Sequence, residues 1–409
     1  MSKLSRLSLC IPLLAIAFAS GCGGDSTADL DFADWIVDVP EGTPLKEYAA
    51  VSLDDRTGHE IELVEDLVLG GDPTDPNTAF YRVAGVVASE EGNIFVLDSG
   101  NNRVQMFGSD GSYLKTLGGP GQGPGEFQSP LGMAITEDRI VINDLLNSRL
   151  SFWSLDGEHL SDVTPPQRIF APLMNVFADG SIVAFGSETD RERMERRPTL
   201  TRYSPEGERL ESLLELPATP LPDFAAMRAD PLSMLRMTIE SMASPSLIFF
   251  AIGGGEVVYA TPVVEYQVFA KSPTGEWIWA LRTAWPRPPF PEAQKEALIA
   301  SFAERMPDQE ISVDDFDWPE HTIALGSVQV DGQGRIYVFP VASSDEDPNQ
   351  ADEARLVPVD VYSPQGERLL AGLIGNGWAF ARGDYVYTVR PTPDDEVQVV
   401  RYRLVWPEN

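Results

Sequence analysis

The chain has few of the residues on which metal, redox and disulfide chemistry depend. Its 409 residues include two cysteines, Cys10 and Cys22, and three histidines, His59, His159 and His321. Two cysteines cannot supply a disulfide framework or a four-cysteine iron–sulfur site, and this histidine content does not support a zinc finger. These absences leave architecture and location as the properties on which the sequence is most informative.

Positive charge is also scarce. Lys and Arg number 30 against 63 Asp and Glu, which gives a net charge of −33. A chain this acidic repels polyanions and anionic lipid surfaces, so we expect no nucleic-acid partner. Its hydrophobic content of 43% is typical of a globular protein and argues against disorder over most of the length.

The first residues have the pattern of an export signal. Lys3 and Arg6 form a short basic segment, and an apolar core from Leu9 to Phe18 follows that is too short to span a bilayer. The core ends in Ala19-Ser20-Gly21 directly before Cys22, and small residues before a cysteine resemble the lipobox of bacterial lipoproteins. The resemblance implies that residues 1–21 are a lipoprotein signal peptide and that Cys22 is acylated, with palmitate among the acyl chains.

Two interpretations of this N-terminus stay open. One is the lipoprotein, and the other is an ordinary secretory signal cleaved near Ala19 with Cys22 incidental. For the lipoprotein, membrane attachment depends on the acyl chains, because the charge is unfavourable. Gly23 after the cysteine favours the outer membrane, facing the periplasm or the cell surface. We therefore expect a lipid-anchored protein of the cell envelope in which residues 22–60 form a tether and an N-terminal arm.

One pattern recurs at a fixed spacing. Asn93 to Asp98, followed by Arg103 and by Asp110-Gly111, returns 46 residues later as Arg139 to Asp144, Arg149 and Asp156-Gly157. A period of this size, filled with short β-type runs and turn residues, is typical of a four-stranded propeller blade. Such a sheet must be covered by neighbouring blades, because it cannot bury both of its faces alone.

The pattern predicts six blades. Second strands are expected at 93–98, 139–144, 181–186, 256–261, 335–340 and 384–389, and third strands at 103–108, 149–154, 199–204, 265–270, 358–363 and 398–404. A glycine turn into a fourth strand follows the first five third strands. We expect Ile61 to Leu69 to supply the sixth fourth strand and so close the ring. The expected fold is an all-β, six-bladed β-propeller over residues 61–409, with five or seven blades as the alternatives.

One stretch of this repeat resembles the NHL-repeat type of propeller. The glycine-rich segment from Gly118 to Pro130 is similar to that family's inter-blade linker, and the family's Asp-x-x-Asn-x-Arg arrangement occurs twice, as Asp98, Asn101 and Arg103 and as Asp144, Asn147 and Arg149. The resemblance covers about residues 80–160 and implies a six-bladed ring. Because the arrangement repeats in successive blades, we expect it to tie strands together and not to catalyse a reaction.

Two connections between blades are much longer than the usual two to six residues. They are insertions at about 215–245 and 282–322, and both run from an outermost strand to the next innermost strand, so both should emerge on one face of the ring. The first contains a predicted helix with Asp230 as N-cap and Pro231 at its first position, and the second a helix beginning at Pro291. Long loops of this kind usually carry function.

We expect the binding site at the mouth of the central channel and along the rim that the insertions form. The candidate residues open the innermost strands or lie in the insertions: Tyr81, Arg82, Asn175, His321, Trp378, Met234, Met237 and Phe302. We identify no ring of carboxylates or histidines there, which departs from propeller lyases and lactonases that hold a metal at the channel.

The resemblance to NHL-like propellers without channel catalytic residues implies an interaction module. The expected partner is an envelope protein, peptide or glycan, and we expect a monomer without a cofactor. The alternative is a metal-assisted hydrolase or lyase at the channel mouth, for which the acidic loops could attract a Ca²⁺ ion.

Overall fold

A computed structural model describes most of the chain after its first 34 residues. The described residues are 35–164, 174–221, 232–242, 247–306, 309–342, 356–375, 380–382, 385–392, 394 and 396–407. The predicted signal peptide, Cys22 and Trp378 lie outside them. The helices of the described part include α1 (Ser233–Ser241) and α2 (Glu292–Ala303), and no helix there is long and apolar enough to cross a bilayer.

The strands fall into six groups that follow the repeat. Two strands come first, β1 (Leu45–Ala49) and β2 (Glu60–Gly70). Blades one and two consist of β3 (Val83–Ala88), β4 (Ile94–Asp98), β5 (Arg103–Phe107) and β6 (Tyr113–Leu117), then β7 (Pro130–Ile135), β8 (Arg139–Asp144), β9 (Arg149–Ser154) and β10 (His159–Val163). Blade three consists of β11 (Met174–Val176), β12 (Ile182–Asp190), β13 (Glu195–Tyr203) and β14 (Arg209–Glu215), with the short β15 (Thr219–Pro220) beside β13.

The remaining blades have the same composition. Blade four contains β16 (Ile248–Ile252), β17 (Val258–Pro262), β18 (Gln267–Lys271) and β19 (Trp277–Ala284), and blade five contains β20 (Leu325–Val330), β21 (Ile336–Pro340), β22 (Leu356–Tyr362) and β23 (Arg368–Gly375). Blade six contains β24 (Phe380–Arg382), β25 (Tyr385–Pro391) and β26 (Val397–Val405). Every predicted second and third strand overlaps a strand of the structure.

The blades form a closed ring. Within each blade, strands that are consecutive in the chain pair antiparallel. The first strands of the six blades, β3, β7, β11, β16, β20 and β24, contact one another in this order, and β24 contacts β3. These strands are therefore innermost, and the predicted number of six blades is confirmed.

The ring closes through β2, as predicted. This strand pairs antiparallel with β26 from Glu62 to Gly70 and becomes the fourth strand of blade six. Its first residues, Glu60 and Ile61, pair in parallel with the end of β23 in blade five. One segment thus joins two blades and covers the sheet edge that β26 would otherwise expose.

The arm before β2 contributes a strand to the ring. Its strand β1 pairs in parallel with β19 and extends blade four by a fifth strand on the outside. A 3₁₀ turn at Asp54–Arg56 then places the side chain of Arg56 in the interior. The strand forms because the outer edge of β19 has backbone groups that need hydrogen-bond partners.

The core lies between blades. Successive side chains of a strand point to opposite faces, so Ile94 and Val96 of β4 pack towards blade six, whereas Phe95 and Leu97 pack towards blade two. All five residues of β4 are buried. This two-sided burial explains why the second strands have continuous apolar sequences without polar alternation.

Candidate functional site

The antiparallel order of the blades gives the ring two different faces. In a four-stranded meander, the turn between the second and third strands and the connection to the next blade leave at the same end. We call this end of all six blades the insertion face. Both long connections, from blade three to four and from blade four to five, belong to it, as the sequence predicts.

The two insertions fold on each other. We call residues 232–242 and 285–324, in their described parts, the cap. Leu235 and Ile239 of α1 are buried against Ile299 of α2 and against Phe316. Two connections from different blades therefore share a small apolar core, which their sequence positions did not reveal.

The cap helices begin close to their predicted starts. The first turn of α1 is at Ser233, whereas the expected N-cap Asp230 and Pro231 lie outside the described residues. α2 begins directly after Pro291, so this proline precedes the helix and does not occupy its first position. The difference is one residue, and the fixed φ of proline suits either place.

A short ribbon fixes the cap to blade five. Pro289 and His321 form an antiparallel bridge, and the backbone N–H of Phe290 donates to the carbonyl of Glu320 at 3.0 Å. The backbone N–H of Thr322 donates to the carbonyl of Pro288, also at 3.0 Å. This ribbon places His321 at the foot of the cap, just before the innermost strand β20.

Three ionisable side chains meet at this foot. Arg287 donates from Nε to the carbonyl oxygen of Thr322 at 3.0 Å, and its Nη1 lies 3.6 Å from Oε1 of Glu265. Burial raises the pKa of the Glu265 carboxyl, and the charge of Arg287 and the proximity of His321 act in the opposite direction. The group combines a half-buried carboxylate, a guanidinium and an exposed imidazole.

Sequence reasoning found only one member of this group. His321 was a candidate because it precedes an innermost strand, whereas Glu265 lies in the turn between β17 and β18 and Arg287 at the start of the second insertion. No motif connects these positions, because only the return of the ribbon brings them together. The sequence feature that could have indicated an ordered segment around Arg287 is the tryptophan- and proline-containing run Trp285-Pro286-Arg287-Pro288.

Tyr81 and Arg82 lie at the opening of β3 in blade one. The backbone N–H groups of both donate to Oδ1 of Asp98, at 3.0 and 3.3 Å, and Arg82 donates from Nε to Ser99 Oγ at 3.0 Å. The Tyr81 ring covers Gly100, where a Cβ would collide with the ring, and the side chain remains 57% exposed. Blade one thus presents an aromatic ring and a guanidinium on the insertion face.

The repeated Asp-x-x-Asn-x-Arg arrangement is structural, as predicted. Asp98 is fully buried, and its Oδ2 accepts from Asn101 at 2.7 Å and from Arg103 at 3.1 Å. Asp144 has the same role in blade two, where it accepts the backbone N–H groups of Gln128 and Ser129 at 3.0 and 2.9 Å. Each carboxylate fastens the chain that enters a blade to the turn after the second strand.

The other candidates are distributed over two places. Met234 is 57% exposed on α1, Met237 is half-buried on the same helix, and Phe302 is half-buried on α2, where it packs against the core of the cap. All three therefore lie in the cap. Asn175 is half-buried on β11 opposite Val183, in a different blade. Trp378 lies outside the described residues.

Blade three adds a raised hairpin to the same face. The pairing of β12 with β13 continues to Asp190 opposite Glu195, beyond the length of the corresponding strands in blades one and two. The hairpin borders an open pocket of about 570 Å³ with charged walls, which include Glu188, Asp190, Arg191 and Arg193. Within the described part of the chain, no three His, Cys, Asp or Glu side chains are grouped so that they could hold a metal ion.

Comparison with known proteins agrees with the architecture. Residues 80–177 match a family model described as a 6-bladed beta-propeller (DUF5128). RING finger protein nhl-1 of Caenorhabditis elegans is 37% identical over 60 residues, which are 15% of this chain and 6% of that protein. The chain thus matches only a small part of that curated relative.

Two solved structures are similar over nearly their whole length. A putative exported protein from Bacteroides fragilis NCTC 9343 has a TM-score of 0.52 at 10% identity, covering 89% of this chain and 99% of that one. A member of the duf4221 family from Bacteroides vulgatus has a TM-score of 0.50 at 11% identity, covering 85% and 99%. At sequence identities this low, the similarity is evidence for the fold alone. With the closed ring of six blades described above, they establish that the chain is a six-bladed β-propeller.

Proposed function

We propose that this protein is exported to the cell envelope, is held there by a lipid on Cys22, and uses the insertion face of its propeller to bind a protein, peptide or glycan. The observation that carries the proposal is the shared core of α1 and α2. Ring closure requires only short connections between blades, so two long insertions that fold together on one face serve another purpose.

The exposed side chains of this face suit binding. Tyr81, Leu146, Met194 and Met234 are large apolar residues that are each more than half exposed on the loops or on the cap. Aromatic residues and methionine are enriched in interfaces, and methionine adapts to irregular surfaces. The four side chains come from different blades or insertions, so a partner would contact several elements of the rigid ring.

The proposed location is supported by the N-terminal pattern. The basic segment, the short apolar core and the small residues before Cys22 have the order of a lipoprotein signal. One protein of the same fold is described as a putative exported protein. At a net charge of −33, attachment to an anionic membrane would depend on the lipid.

Binding is tested with two matched surface variants. Purified wild type, the double variant Met234→Asp and Met237→Asp, and the control Leu160→Asp are each immobilised and exposed to solubilised envelope proteins and to isolated envelope glycans. Leu160 is exposed on the outermost strand of blade two, away from the cap. We expect wild type and the control to retain the same partner and the double variant to lose it. Equal retention by all three, or no retained partner, would contradict the proposal.

A further inference from the structure

The N-terminal arm joins the ring at the insertion-face end of blade four. The backbone N–H of Ile36 donates to Oε1 of Gln267 at 3.0 Å, and the guanidinium of Arg282 lies 5.1 Å from the centre of the Trp35 ring. Gln267 and Arg282 pair with each other near the start of β18 and the end of β19. Third strands run away from the insertion face and fourth strands run towards it, so these two residues mark that end of the blade.

The direction of the arm agrees with this starting point. Val37 and Val39 pack against the core between blades three and four, and Gly42, at φ 86°, lies in the turn that follows. Strand β1 then runs parallel to β19, back towards the insertion face. The arm therefore enters the ring at the insertion face, and the connection between Cys22 and Trp35 meets the ring there.

The length of this connection limits how the ring can lie relative to the proposed anchor. Trp35 follows Cys22 by 13 residues, and 13 residues span at most about 45 Å. A strand such as β13, with nine residues, extends for about 30 Å. If the opposite face lay on the membrane, the connection would first have to pass the height of a blade. The short path from Cys22 therefore favours the insertion face as the side next to the lipid.

The charge of the raised hairpin suits the same orientation. Residues 191–197 at its tip include four arginines and two glutamates, so this segment has a net charge of +2 in a chain of −33. Within the part of the chain that the structure describes, Arg191 and Arg196 are exposed and form no ion pair. Met194, between them, is 55% exposed. The tip thus presents guanidinium groups and an apolar side chain to a surface next to the insertion face.

The hairpin is held in place and lies close to the arm. Its strand β13 pairs with β15 near the tip, and the backbone N–H of Leu221 donates to the carbonyl of Met194 at 2.7 Å. Phe185 of β12 packs against the same inter-blade core as Trp35. The positively charged tip therefore belongs to blade three, and the connection to the anchor meets the ring at the boundary of this blade with blade four.

We propose that the anchored protein stands with its insertion face towards the membrane and that the raised hairpin contacts the phosphate groups of the lipids. The inference rests on the proposed acylation of Cys22. Guanidinium groups bind phosphate oxygens through paired N–H donors. An anionic lipid surface repels the acidic remainder of the chain and attracts the tip, so the field that opposes association also orients the anchored molecule. A partner of the cap then lies at the membrane surface.

Fluorescence quenching by labelled lipids tests this orientation. The acylated protein is purified with a fluorophore on one added cysteine, either Met194→Cys or Glu206→Cys, and is inserted into vesicles of phosphatidylethanolamine and phosphatidylglycerol that contain a lipid with a nitroxide headgroup. Glu206 is the matched position, because it is exposed in the turn at the opposite end of the same blade. We expect the probe at 194 to be quenched at least threefold more than the probe at 206. Equal quenching, or stronger quenching at 206, would overturn the orientation.

The anchor is measured separately on the same samples. Intact mass and sedimentation with vesicles report whether Cys22 is acylated and holds the protein on the lipid. A chain without the lipid would overturn both the anchor and this inference. A chain that sediments with the vesicles but shows equal quenching at the two positions would overturn the orientation alone.

A charge variant tests the contact of the hairpin with lipid. Arg191→Gln combined with Arg196→Gln should lower the quenching of the probe at 194 at least twofold, because the attraction of the tip to the phosphates is lost. The control combines Lys115→Gln with Arg139→Gln in blades one and two, which removes the same charge outside the hairpin and should leave the quenching unchanged. Equal quenching of the hairpin variant and the control would contradict the proposed contact with lipid phosphates.

Discussion

Arg56 of the N-terminal arm and Asp360 of blade five form a fully buried ion pair, with Nη2 and Oδ1 2.7 Å apart. Nη1 of Arg56 also donates to the carbonyls of Val359 and Gly372 at 3.0 and 3.2 Å. The hydroxyl of Tyr266, from blade four, donates to the other carboxylate oxygen of Asp360 at 2.7 Å. The arm therefore holds blades four and five together from inside the molecule.

Removal of one partner of this pair should destabilise the fold strongly. We expect Arg56→Met to lower the free energy of unfolding by about 3–5 kcal/mol, because the buried carboxyl group of Asp360 would be left without its counter-ion. Lys46→Met is the matched control, since Lys46 pairs with the exposed Glu367 at the surface and its loss should cost less than about 1 kcal/mol. Urea unfolding measures both, and similar losses would show that the buried pair has no special role.

Deletion of residues 61–69 should sharply lower the melting temperature. The deletion removes most of β2, uncovers the edge of β26 and removes Ile61 and Leu69, which are buried in two different inter-blade cores. The control is Leu369→Ser, which changes an exposed side chain on the outermost strand of blade five and should leave the melting temperature within a few degrees of wild type. An unchanged melt of the deletion variant would refute closure by this strand.

Lys271 should make stability depend on pH in the alkaline range. Burial lowers its pKa in the folded chain to about 8, below the ordinary 10.5, so the unfolded chain binds more protons between these values and the free energy of unfolding rises with pH there. Lys271→Met removes the penalty and should stabilise the protein by about 1–3 kcal/mol at pH 7.

The gain from Lys271→Met should shrink as the pH rises from 8 towards 10.5. Guanidinium unfolding of wild type and Lys271→Met across this range measures the difference in their free energies of unfolding. Lys46→Met controls for the loss of a lysine at the surface. A pH-independent difference between wild type and Lys271→Met would mean that the lysine is not desolvated in the folded state.

The anchor has a separate test. Cys22→Ala removes the proposed acylation site, and we expect the protein to move from the membrane to the soluble envelope fraction, because a net charge of −33 does not favour binding to an anionic membrane. Ser20→Thr, next to the cleavage position, is the control and should stay with the membrane. Continued membrane association of Cys22→Ala would contradict the lipid anchor and would leave the assignment of the propeller fold unaffected.

The repeat made the blades predictable, because each blade must alternate short apolar strands with glycine turns to bury both faces. One strand end was misplaced: the third strand of blade four was predicted to end at residue 270, whereas the strand of the structure extends to Lys271. The spacing to the turn glycine predicts the correct strand end. In blade three, Tyr203 precedes the turn glycine Gly207 by four residues, and in blade four Lys271 precedes Gly275 by the same number.

Contacts outside the repeat were not predictable in the same way. Arg56 and Asp360 are separated by 304 residues and share no motif, so neither local pattern nor spacing reveals that the arm inserts between two blades. The meeting of Glu265 with Arg287 depends likewise on the path of the ribbon below the cap. Such contacts depend on the path that the arm and the insertions take relative to the blades, and the periodic pattern of the sequence does not encode this path.

The recognition face is tested most directly by site-specific photo-crosslinking in intact cells. A photoreactive residue is placed at Met234 on the cap, at Tyr81 on blade one, or at Leu160 and Leu369 on the outermost strands, all of which are exposed. We predict one adduct of the same mass from positions 234 and 81, suppressed by excess unlabelled wild-type protein, and none from 160 and 369. Adducts confined to positions 160 and 369 would contradict the claim that the insertion face binds the partner.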